Sequence, residues 1–187
     1  SGVRFLANKS DEKRVFPLLL DAILKICEKI NASSFHCLFP KDEIEFFKEK
    51  ELFIRNDCQF HGKNDDYANF DDFLANLKPK KRKNIRQERS KVQKQGVVIR
   101  KLDGNSASEA DWQNFSNFYN QTFLEKSGIP TLNLGFFKSI AKSLPEQILL
   151  FLADFNGECV AGSLMFKSDT HLYGRHWGCS EQVDHLH

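Results

Sequence analysis

The sequence predicts a mixed α/β fold, a largely antiparallel sheet flanked by helices, and three observations predict it. Apolar residues recur at three- and four-residue spacing over 12–31, the mark of an amphipathic helix. Short apolar runs bounded by turn residues, "SSFHCLF" and "LFIRNDCQFHG", alternate with helical stretches in the first third. The stretch 147–179 then holds three strand-like runs separated by turn signals. Helices interleaved with strands, followed by a meander, give a sheet with helices on its faces.

Each element has its own signal. In 12–31, Val15, Leu18, Leu19, Ala22, Ile23, Ile26, Cys27 and Ile30 form the apolar stripe, with Ser10 or Asp11 as cap. The run 33–39 reads as a short buried strand. Pro40 opens a helix with acids in its first turn, where the helix dipole favours them. In 52–62, alternation puts Ile54, Cys58 and Phe60 on one face and Arg55, Asp57, Gln59 and His61 on the other. The polar connector 63–69 is the candidate domain boundary, dividing the chain into 1–66 and 67–187. After it come a helical turn ("FDDFLANL"), a helix from Pro79 to a left-handed cap at Gly96, and the strand "VVIRKL". Two helices follow, "DWQNFSNFYNQTFLEK" and "GFFKSIAKSL". Asn156-Gly157 is the strongest hairpin signal, and "SDT" makes a second turn.

Composition is that of an ordinary globular chain apart from 18 phenylalanines among 187 residues. No apolar run approaches the ~20 residues that span a bilayer, and "SGVRFLANKSDEKR" is no signal peptide. Five scattered cysteines without a C-x-x-C pair argue against a disulfide framework or a zinc site, and for reduced thiols in a cytoplasm. Net charge is +2, but Lys78–Lys94 holds nine Lys/Arg against one Glu, a local +8 that leaves −6 on the rest.

That basic helix admits four readings. "PKKRK" has the composition of a nuclear address, but such signals are extended and this run sits between apolar segments. Arg82, Arg86 and Arg89 share a face that suits nucleic acid, yet the helix lacks the aromatics that stack bases. A solvated face normally mixes charge signs. An anionic ligand would relieve the self-repulsion of nine like charges.

"HLYGRHWGC" (171–179) is the second candidate. Strict alternation places Tyr173, Arg175 and Trp177 on one face and Gly174, His176 and Gly178 on the other. The glycines either form a floor for a ligand or make room for a packed helix. Arg175 within a strand calls for an anionic partner, while Tyr173 and Trp177 are core or wall. Gln59 and His61 lie on a polar strand face, and a histidine titrating near neutral pH deprotonates an attacking amine. His185 and His187 show no ligand geometry, and no metal is expected.

The residues "QFHGKNDDYANFDDFLANLKPKKRKNIRQERSKVQKQGVVI", "HLYGRHWGC", "SSFHCLFP" and "FYNQTFLEKSGIPTLNLGFF" resemble the FemAB-like peptidoglycan biosynthesis/recognition proteins over almost the whole chain. The resemblance implies an acyl-CoA N-acyltransferase (GNAT-like) fold in two tandem halves. The chain would hold the end of the first half and a second half cut short at its C-terminus. It also implies acyl or aminoacyl transfer to an amine on an anionic, cell-wall-precursor-like acceptor, with acyl-CoA or aminoacyl-tRNA as donor. In that reading Arg82, Lys83, Arg86 and Arg89, with Gln59 and Trp177, bind substrate, and His61, Tyr173, Arg175 and His176 serve the chemistry. Two departures stand out: Gly62 replaces a tryptophan of the family pattern, and the glycine-rich CoA fingerprint is absent. The alternative is a non-catalytic module that binds peptidoglycan precursor or RNA through the same helix.

Overall fold

A computed structural model describes residues 3–41, 43–56, 58 and 60–180, and within these every side chain except that of Arg175. Gln59, Asp57 and the terminal His185 and His187 lie outside the described residues. The chain divides into two compact units, Ser1–Asn64 and Asp65–His187.

The first unit is built on phenylalanine. Helices α1 (Glu12–Lys29) and α2 (Ile44–Glu49) contribute Phe16, Leu20 and Phe47 to a small core completed by Phe5. Phe5 meets Phe16 and Phe47 edge-on at 5.5 and 5.4 Å, the geometry that ring quadrupoles prefer. Glu43, fully buried, ties the N-terminal segment to α2. Its carboxylate accepts from the main-chain N–H of Arg4, of Phe5 at 2.7 Å and of Lys41 at 3.1 Å. Burial by itself would push this carboxyl up, but the N–H groups of Phe5, Arg4, Glu43 itself and Lys41 outweigh it and hold it below the usual range.

Neither strand expected here forms among the described residues of 33–39 and 52–62. A strand is stable only with a neighbour to complete its hydrogen bonds. Phe35, Cys37 and Leu52 pack on the phenylalanine core, while Phe53 and Phe60 are 92% and 95% exposed. The second helix also begins at Ile44 rather than at Pro40.

The second unit carries the sheet. Helices α3 (Phe70–Ala75) and α4 (Pro79–Lys94) lead into β1 (Val98–Leu102), followed by α5 (Glu109–Glu125) and α6 (Leu134–Ser143). Then come β2 (Ile148–Phe155), β3 (Glu158–Lys167) and β4 (Leu172–Cys179). The four strands are antiparallel in the order β1-β2-β3-β4. Asn156 and Gly157 both have positive φ, 51° and 84°, which makes the two-residue β2–β3 connection a type I′ turn.

One face of the sheet is covered. Leu150, Leu152 and Leu164 pack against Trp112, Phe115 and Tyr119 of α5 and Phe137 of α6 in the main core. The start of α5 is doubly fixed. Ser108 and Asp111 form a reciprocal capping box, and Asp111 also takes Arg100 Nη1 at 2.8 Å. Arg100 meanwhile holds Asp154 through two nitrogens, at 2.5 and 3.2 Å. One guanidinium therefore ties β1, β2 where it faces the bulge at Val160 of β3, and α5 together. On the opposite face a smaller cluster of Val97, Ala153, Val160 and Ala161 is flanked by Val92 of α4 and Cys179 of β4.

Candidate functional site

Helix α4 begins and ends where local chemistry requires. Pro79 takes the first position, where its missing N–H costs nothing, and Lys78 before it is extended (ψ 142°). At the other end Gly96 (φ 82°) lets its own N–H reach Gln93 O and that of Val97 reach Val92 O. Between them no side chain is fully buried; Ile85 and Val92 are half-buried.

The arginine stripe is turned onto α3. Arg86 Nη2 lies 2.9 Å from Asp71 Oδ1, the Arg89 guanidinium sits 4.4 Å above the Phe70 ring, and Arg82 Nη1 reaches 3.5 Å toward Ala75 O. Helix α3 is in turn started by Asn69, whose side chain accepts from the N–H of Asp71 and Asp72. A partner for Arg86 is thus supplied from within the chain by Asp71. The arrangement is legible in sequence only through the acids of "FDDF" just upstream of the basic run. Lys83 is exposed and has no ion-pair partner among the described residues, and the same holds for Lys80, Lys81, Lys91 and Lys94.

The alternation expected along 171–179 is broken by a β-bulge. Leu164 pairs with His176 but Met165 pairs with Gly174, so Arg175 is the extra main-chain residue. One inserted residue exchanges the faces beyond it. Tyr173 therefore falls with His176 and Gly178 on the face covered by α5, opposite Phe166, Leu164 and Gly162, while Gly174 and Trp177 share the other face. Tyr173, 55% exposed, stacks on His171 at 5.7 Å, and the His176 ring stands edge-on to Tyr119 at 4.9 Å. The two glycines do different things. A Cβ on Gly178 would come within 2.6 Å of Phe118 O and 2.7 Å of Thr122 Oγ1, because α5 lies directly on it. A Cβ on Gly174 would meet nothing within 4 Å.

The face opposite α5 carries a row of side chains across the sheet, Lys101, Phe151, Ser163 and Trp177, each opposite the next. Trp177 is 42% exposed, and Phe151 and Met165 are half-buried. The next row, Ile99, Ala153, Ala161 and Cys179, runs into the cluster that holds Val92. The end of the basic helix and the Trp177 face thus meet on one side of the sheet. His61 is exposed and belongs to the first unit.

A cavity of about 420 Å³ between the 103–108 loop and α6 is lined by Gly104, Glu109, Trp112, Lys138 and Lys142, and includes none of the residues chosen from sequence. Among the described residues no three His, Cys, Asp or Glu gather in a way that would hold a metal ion, and no helix is long and apolar enough to cross a membrane.

No curated protein matches this chain. A family model described as FemAB-like, peptidoglycan biosynthesis/recognition, matches residues 1–187.

Proposed function

The chain belongs to the FemAB-like family of peptidoglycan biosynthesis and recognition, and from that premise we propose that it transfers an acyl or aminoacyl group to an amine of an anionic cell-wall precursor. The family match over the entire chain carries the reading. The structure supports it with a lysine-rich helix whose Val92 packs into a cluster on the same sheet face as the partly exposed Trp177.

In this reading Lys83 and its neighbouring lysines hold the acceptor's phosphate or carboxylate, and Trp177 with Phe151 gives its less polar part a seat. Gly174 lets the ligand approach the main chain closely, which a side chain there would prevent. The acceptor nitrogen attacks the donor's ester or thioester carbonyl, a C–N bond forms, and the C–O or C–S bond breaks. The proton lost by the amine passes to the departing oxygen or sulfur. Holding an amine against an activated ester supplies much of the acceleration without further chemistry. The two compact units would be parts of two tandem halves of one transferase architecture.

A non-catalytic recognition module is the second reading, favoured by one observation: His176 lies on the covered face against Tyr119, away from the open sheet surface. The test is a thermal-shift and turnover experiment with a UDP-linked muramyl-peptide precursor. Ligand at 100 times its Kd stabilises by about 2.7 kcal/mol, and Lys83→Gln or Trp177→Ala should weaken that shift. Turnover with an added acyl donor selects the transferase, and binding without turnover selects the module. A melting temperature unmoved by the precursor in wild type overturns both.

A further inference from the structure

Deepening the anionic-ligand reading above, on which it rests, we infer that α3 is a removable cover over the arginine face of α4, with Asp71 holding the place on Arg86 that a ligand's anionic group takes over. Three contacts make up the cover, and they differ in kind. At the C-terminal end of α3, Leu74 is fully buried and Arg82 reaches toward the Ala75 carbonyl, so that end is anchored. At the N-terminal end the contacts are Asp71 on Arg86 and Phe70 under Arg89, and all four side chains are substantially exposed.

An exposed carboxylate on a guanidinium is a weak pair, worth a factor of a few in an equilibrium constant. A pyrophosphate offers the same guanidinium more charge and more acceptor oxygens. Asp71 therefore presents a bound-state contact weak enough to be exchanged. The exposed lysines of α4 have no ion-pair partner among the described residues, so they attract the anion before the exchange occurs. The cover also spares Arg86 from standing as a bare cation among eight others.

The experiment titrates the whole chain with inorganic pyrophosphate at low salt by calorimetry. Wild type, Asp71→Asn, Asp72→Asn and Arg86→Gln are compared, and each variant is first shown to melt as wild type does. Asp72 is the control: it removes the same charge, but its carboxylate accepts the Ala68 N–H at 3.2 Å rather than pairing with Arg86. The expected result is binding two- to five-fold tighter in Asp71→Asn, smaller gain in Asp72→Asn, and loss in Arg86→Gln. Faster amide exchange at 71–73 in the wild-type complex is also expected. Equal affinity of Asp71→Asn and wild type, with Arg86→Gln weakened, overturns the cover and leaves the anionic-ligand reading standing. Equal gains from the two aspartate changes also overturn the cover, since net charge alone then explains them. Absence of binding in both wild type and Asp71→Asn removes the ligand reading and the cover together.

Discussion

Replacing Gly178 by alanine adds one methyl group where α5 crosses β4. The new Cβ would stand 2.6 Å from Phe118 O, 2.7 Å from Thr122 Oγ1 and 2.9 Å from the Phe118 carbonyl carbon. All three are far inside contact distance, and two belong to the helix main chain, so α5 itself must lift. Lifting it disturbs Phe115 and Tyr119, which fill the main core. Forced overpacking of this kind costs about 1–3 kcal/mol. Taking about 2 kcal/mol, and roughly 3–5 °C per kcal/mol for a unit of this size, the melting temperature should fall by roughly 6–10 °C. Gly174→Ala is the matched control, because its Cβ meets open space. A strand interior favours alanine over glycine by about 0.5–1 kcal/mol, so this variant should melt at or slightly above wild type. Both are read by urea denaturation and calorimetry on the same preparation. If Gly178→Ala melts with wild type, or the two variants fall together, the division of labour between the two glycines is wrong.

Other expectations follow from the polar anchors. Glu43 is held below its ordinary pKa, so its contribution is present above the unfolded-chain value and fades as pH falls through the folded one. Acid titration followed by circular dichroism should show the first unit loosening below about pH 4.5, and Glu43→Gln should cost about 1–3 kcal/mol near neutrality while flattening that dependence. Burial first, then the nearby Asp154 carboxylate, pushes the Cys159 thiol up to about 11. In a thiol-reagent assay at pH 8 the exposed Cys58 should react in the native protein and Cys159 only on unfolding. Asp154→Asn removes one carboxylate from the partly buried Arg100 cluster and should cost about 1–2 kcal/mol in denaturant melts, with Arg100→Lys losing as much because its single nitrogen has no planar fork to grip both Asp154 oxygens while reaching Asp111.

Much of the second unit can be read residue by residue, because its signals are local. Pro79 and Gly96 bracket the basic helix, and Asn156-Gly157 closes the hairpin at the expected place. The start of α5 is displaced from the expected Asp111 to Glu109, since the cap is Ser108 and Asp111 is its reciprocal partner. What stays hidden depends on partners distant in sequence. Alternation alone cannot announce a bulge at Arg175, because the register slip is set by pairing with Leu164 and Met165 on another strand. The same limit applies to 33–39 and 52–62, whose apolar alternation reads as strand but finds no ladder among the described residues. Of the candidate site, the arginine spacing is plain in sequence, and so is an acid near enough to meet Arg86. That all three arginines turn toward α3 is a matter of side-chain direction, which spacing does not report.

The two-residue turn at Asn156-Gly157 also bears on how quickly the sheet assembles. Its strands are neighbours along the chain, so zipping them closes almost no loop and belongs to the microsecond events of folding. β1 must instead come home across two intervening helices, since Leu102 pairs with Leu150, and that search pays the entropy of a long closure. The central hairpin is thus the natural nucleus, and mutations in its turn should slow refolding, whereas changes at β1 should mainly hasten unfolding.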